Sequence, residues 1–315
     1  MEELCRCAAM SNTLLGAAKP DIHLCHRLFP FLMNKYPKGA VTLFLRSRLL
    51  LVSGDINSAI YHFNCSLESQ QKYKQFHHVV YWELLFAHIY LGQWDKAANY
   101  AKRLVNESNW SKCIYTYLLC ILIAADTTYE EVKKMETVTV LARKVDGLRH
   151  RIAGKSIPVE KYCARKANRF IAKHTLMFAH YEFIYFWNGI DVLNGNKQII
   201  HNIFTDLNKI WHERSCGADA DDRALYFFLK AVCLRNLQQV TAAEQSLQEV
   251  LKLESKLMDF TYLPPYAIYE LAILRIVEGI RDEAEALLSK ARLYKDYALE
   301  NKLHFLIHSA MQNLG

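Results

Sequence analysis

Four short segments of this chain repeat one spacing, and that spacing limits the fold more than any other feature. Gly54-Asp55, Gly92-Gln93, Gln238-Gln239 and Gly279-Ile280 are each followed, five residues after the first member, by Ala59, Ala97, Ala243 and Ala284. Phe63, Ala101, Leu247 and Leu288 stand nine residues after it, and Ser66, Leu104, Val250 and Ala291 twelve after it. Upstream, Leu43, Tyr81, Phe227 and Ile268 precede the same turns by eleven residues, and Ser47, Leu85, Ala231 and Ala272 precede them by seven. The apolar positions recur at helical intervals on both sides of the turn. Glycine accepts the left-handed conformation that ends a helix. A small residue soon afterwards lets a second helix settle closely against the first.

The spacing therefore predicts an all-α protein, an α-solenoid of helix-turn-helix pairs. Two weaker pairs fit between the strong ones, over about 110–125 with 128–145, and 175–192 with 197–213. The turn of the latter falls at Asn194-Gly195-Asn196. A last helix over about 297–313 reads as a C-terminal cap. No alternation of period two is long enough to propose a sheet. The expected organisation is a segment 1–20 of unassigned structure, a first repeat block 21–145, a basic connecting segment 146–173, and a second block with its capping helix over 174–315.

The large–small–aromatic first helix and the A-x3-[F/A/L] second helix resemble the tetratricopeptide repeat, whose period is about 34 residues. Longer stretches resemble one family in particular. These are SQQKYKQFHHVVYWELLFAHIYLGQWDKAANYAKRLVNESNWSKCIYTYL (69–118), RIAGKSIPVEKYCARKANRF (151–170), YFWNGIDVL (185–193) and LLSKARLYKDYALENKLHFLIHSA (287–310). They are similar to the tetratricopeptide repeat protein 39 family, which also covers fungal inclusion-body clearance proteins. Its members carry a further helical region before the one seen here, so the chain reads as a short member or isoform lacking the N-terminal half. The resemblance implies a non-enzymatic adaptor or scaffold linked to inclusion clearance or lipid handling. It brings no catalytic residues and no cofactor.

Composition agrees with a globular chain, at 52% apolar and 23% charged residues. Nine scattered cysteines without a C-x-x-C pair fit buried thiols in a reducing compartment. The first residues, MEELCRCAAM, lack a secretory pattern, so the triplets at Asn64, Asn106 and Asn109 read as chance glycosylation matches. The expected location is the cytoplasm, with the nucleus or a membrane surface as alternatives. The longest uncharged run, Cys113 to Ala125, would form a helix of roughly 20 Å, too short for about 30 Å of hydrocarbon.

Charge is concentrated in one place. From Arg143 to Lys173 stand Arg143, Lys144, Arg149, Arg151, Lys155, Lys161, Arg165, Lys166, Arg169 and Lys173, opposed only by Asp146 and Glu160. That segment carries +8, so the remainder carries −1 of a total of +7. Such a field attracts acidic peptide or an anionic lipid surface; nucleic acid is disfavoured, because no RNA-module pattern accompanies it.

Catalytic and metal signals are weak. Ala153-Gly154-Lys155-Ser156 lacks the earlier glycine of a phosphate loop, with Arg149 in its place. His304 and His308 lack the glutamate of a zinc protease helix, and His23, Cys25 and His26 lack a second ligand pair. No enzyme, metal or cofactor is expected. A partner would instead lie against the first helices of the pairs. Phe44, Arg48, Trp82, Glu83, Phe86, Phe228, Tyr269 and Glu270 are the residues expected to face it. Their chemistry suits an amphipathic or apolar segment with aromatic anchors, and not the acidic tails that need Lys, Asn and Arg on this face.

Overall fold

The computed structural model describes residues 22–314, apart from 129, 153–154 and 194–195, with the side chains of 152 and 155 also left out. The expected segment 1–20, the turn residues Asn194-Gly195 and the side chain of Lys155 lie outside the described residues. The described chain is all-α but for one short ladder. The chain divides into two compact units that meet in sequence between Leu176 and Met177.

The first unit contains α1 (Ile22–Lys35), α2 (Ala40–Val52), α3 (Ile56–Ser69), α4 (Lys74–Tyr90), α5 (Trp94–Glu107), α6 (Lys112–Ala125), α7 (Glu131–Val145) and α8 (Pro158–Lys173). Each helix packs on the next, and α8 also packs on α6. The second unit contains α9 (Ala179–Phe186), α10 (Gly189–Val192), α11 (Lys197–Arg214), α12 (Ala220–Asn236), α13 (Val240–Lys252), α14 (Leu263–Glu278), α15 (Arg281–Arg292) and α16 (Glu300–Gln312). Here α12, α14 and α16 also lie side by side. Within each unit this is the antiparallel pairing of an α-solenoid, as the spacing predicts.

The four repeated turns close identically. The first turn residue takes a positive φ: Gly54 87°, Gly92 67°, Gln238 64° and Gly279 79°. The next residue donates its N–H to the carbonyl five residues back: Asp55 to Leu50, Gln93 to His88, Gln239 to Leu234 and Ile280 to Arg275, each at 2.9 Å. Those acceptors stand four residues before the turn in every repeat. The carbonyl of that same donor residue then takes the N–H of Ala59, Ala97, Ala243 or Ala284, at 3.0–3.2 Å. So the offset of five is the first hydrogen bond of the second helix. All four alanines have no exposed surface, as a close helix crossing requires.

Two readings need correction. The expected helix over 175–192 is two helices, because Asn188 turns left-handed at φ 58° between Phe186 and Gly189. Residues 146–173 hold a 3-10 turn (Asp146–Leu148), an antiparallel ladder of β1 (Arg151–Ile152) with β2 (Lys155–Ser156), and α8. Two residues per strand are too few for alternation to show in sequence.

Candidate functional site

The residues expected to face a partner are mostly covered. Phe44, Arg48, Glu83, Phe86, Phe228 and Glu270 are buried, whereas Trp82 and Tyr269 are half-buried. The cause is the closeness of consecutive first helices. Arg48 on α2 donates to Glu83 on α4 at 2.5 Å, across 35 residues of sequence. Arg235 on α12 lies 2.7 Å from Glu270 on α14 and also reaches Asp191 on α10 at 2.8 Å. Tyr185 donates its hydroxyl to the other Glu270 oxygen at 2.8 Å. Glu83 and Glu270 occupy the same repeat position, nine residues before the turn, and each meets an arginine from the preceding first helix. Burial works against the Arg235 charge, but Glu270 and Asp191 outweigh it and hold the guanidinium charged. These pairs draw neighbouring first helices together at the positions where an apolar groove is expected.

What stays accessible is aromatic. The Trp82 ring lies 5.1 Å from Phe86, 5.8 Å from Tyr115 and 6.4 Å from Trp110. Trp110 sits in the connection between α5 and α6 and is 58% exposed. Sequence reasoning passed over it. A tryptophan in the short polar connection just before the apolar helix α6 is the signal that marks it.

The basic segment is divided. Arg143, Lys144, Arg151, Lys161, Arg165 and Lys173 are exposed. Arg149 is half-buried, bridged to Asp146 at 2.5 Å, and Lys166 and Arg169 are buried, so these three are not part of an open patch. The fold explains this segment through Glu160, which has no exposed surface. One carboxylate oxygen accepts Ser111 Oγ at 2.5 Å, and the other accepts the His150 N–H at 2.7 Å. Ser111 is also the N-cap of α6, accepting the Ile114 N–H. One buried acid thus fastens α6, α8 and the chain before β1 together.

Other polar groups read as structural. Asp221 accepts N–H bonds from Asp259 and Phe260 at 3.0 and 2.8 Å and fixes the approach to α14. Arg275 joins Glu244, Glu278 and Glu283 at 2.5–2.9 Å, tying α13, α14 and α15. Tyr262 donates to Glu182 in the second unit's core. Burial pushes the thiols of Cys113, Cys120 and Cys233 up to about 12, where no thiolate forms at neutral pH. Among the described residues no His, Cys, Asp and Glu cluster could hold a metal ion, and no helix is long and apolar enough to cross a membrane.

The repeated turns, buried alanines and paired helices define a helical-repeat protein of the tetratricopeptide type. The chain belongs to the Iml2/Tetratricopeptide repeat protein 39 family, whose model matches residues 4–237. It is 57% identical over 302 residues to Tetratricopeptide repeat protein ttc-39B of Caenorhabditis elegans. That match covers 96% of this chain and 52% of the relative, so the chain spans about half the relative's length. Among solved structures, a tetratricopeptide repeat protein from Parabacteroides merdae aligns over 98% of both chains at 13% identity and a TM-score of 0.37. The P58(IPK) TPR domain aligns over 99% of this chain and 98% of its own at 11% identity and a TM-score of 0.30.

Proposed function

We propose that this chain is a non-enzymatic adaptor in the cytoplasm that holds protein partners through aromatic residues left accessible on its first-helix faces. The observation that carries the reading is the covered floor beneath them. Arg48–Glu83 and Arg235–Glu270 lock neighbouring first helices, so Trp82 and Tyr269 are held in place before a partner arrives. Anchors fixed in advance lose little entropy on binding. An amphipathic or apolar segment is the fitting partner. A part in clearing inclusions or handling lipid is compatible with such an adaptor. Proximity labelling with the wild-type chain and Trp82→Ala tests it: the variant is expected to lose a defined subset of neighbours, and an identical set overturns the reading.

A second reading has its own support in six exposed cations among the described residues from Arg143 to Lys173. They would dock the chain peripherally on an anionic membrane or lipid surface, each contributing about 1 kcal/mol near such a surface. Sedimentation with phosphatidylcholine vesicles, with and without phosphatidylserine, tests this reading. It fails if charge reversal at Arg143 and Lys144 leaves vesicle binding unchanged.

A further inference from the structure

We propose that Trp110 and the cations beside it form a docking site for an acidic segment of a partner protein bearing one apolar or aromatic anchor. The proposal rests on the adaptor reading, extends its Trp82 cluster outward and names the ligand chemistry. Trp110 is exposed but not loosely placed. Its ring stands edge-on to Trp82 at 6.4 Å and 76°, and lies 6.3 Å from Tyr115. Tyr115 is itself buried and lies 5.8 Å from Trp82. Three rings therefore form a backed platform whose outer member, Trp110, is mostly exposed.

The cations come to this platform through Glu160. Ser111, the residue after Trp110, is bonded to Glu160, which also holds the His150 N–H. This puts Arg151, next to His150, and Lys161, next to Glu160, each one residue from the bonds that anchor Ser111. Arg165 follows one helical turn after Lys161. All three are exposed, and none forms an ion pair among the described residues. Of the nearby acids, Asp146 is bridged to Arg149, Glu160 is buried in bonds to two neutral donors, and Glu107 lies 3.8 Å from His78. The site thus offers a fixed apolar plate with three exposed cations anchored beside it through Glu160. Tryptophan is a frequent hot-spot anchor, and complementary charge adds speed and selectivity. An anionic bilayer, whose headgroup layer also accepts indole rings, is set against this reading in the test.

The test pans a displayed library of random peptides against the purified full chain, with phosphatidylserine vesicles and a single-stranded oligonucleotide as parallel probes. Enriched peptides are expected to be acidic with one aromatic or large aliphatic residue. Their affinity should fall about ten-fold or more in Trp110→Ala, and comparably in a double variant of Arg151→Glu and Lys161→Glu, with unchanged helical circular dichroism. Binding to the wild type should weaken as sodium chloride rises. The proposal is overturned if nothing is enriched, if the enriched peptides are not acidic, or if they bind Trp110→Ala equally well. Charge-dependent binding of vesicles or oligonucleotide without acidic peptides overturns it too, in favour of those partners. If neighbours in proximity labelling depend on Trp82 or Tyr269 but not on Trp110, this site falls while the adaptor reading stands.

Discussion

Gln238 occupies the turn position that glycine takes in the other three repeats, and it adopts the same left-handed conformation. The spacing reveals this position even though the residue type hides it. A side chain in that conformation costs about 1–2 kcal/mol. Gln238→Gly is therefore expected to stabilise the protein by roughly 0.5–1 kcal/mol in urea unfolding, after the exposed bond from Lys197 is lost. Glu160 gives the opposite case. Glu160→Ala strands the Ser111 hydroxyl and the His150 N–H, and should cost about 2–3 kcal/mol in the same assay. Its role is not legible locally, because both partners are fixed by tertiary packing. His180 supplies a pH dependence: burial, assisted by Arg214, pushes its imidazole down to about 3. Its unfolded value is about 6.5, so the unfolded chain takes up the proton first. Stability is therefore unaffected by this group above about pH 6.5 and falls progressively from there down to about pH 3, with a slope of up to about 1.4 kcal/mol per pH unit. Comparing wild type with His180→Gln between about pH 7 and about pH 5 should show that slope removed.

At the scale of elements, the helix pairs were legible because one turn chemistry recurs in four places. The break at Asn188 was overlooked although Asn188-Gly189 is a turn-marking dipeptide, because the largely apolar stretch from Ala179 to Val192 continues on both sides of it. Helix crossings are tested by Ala97→Leu. The new side chain has no space, and overpacking should cost about 1–3 kcal/mol by thermal unfolding. The Arg48–Glu83 pair is tested by a double-mutant cycle. Arg48→Met alone leaves a buried acid unmatched and should cost about 3–5 kcal/mol, whereas adding Glu83→Leu should recover most of that loss. Additive single effects would show that the pair does not join α2 to α4.

For the molecule as a whole, local pattern identified which helices come first in each pair, but not how closely they approach. That distance is set by ion pairs between residues 35 apart in sequence, as in Arg48–Glu83, and by a network in which Tyr185 meets Glu270 85 residues away. Sequence periodicity carries no record of such pairings, so the expected groove residues proved mostly interior. Thiol chemistry offers a global check. Cys216 is exposed and Cys113, Cys120 and Cys233 are buried with raised pKa values. A maleimide reagent mapped by mass spectrometry should modify Cys216 in the native protein and reach the other three only after denaturant is added.

The bond between Ser111 and Glu160 spans 49 residues. During synthesis on the ribosome, the whole of α6 is therefore translated before the acid that steadies its first turn. For that interval the start of α6 is secured only by Ser111's own hydroxyl. A nascent chain arrested short of Glu160 would be unusually open to chaperones at this point, and release of those chaperones should follow once α8 has emerged.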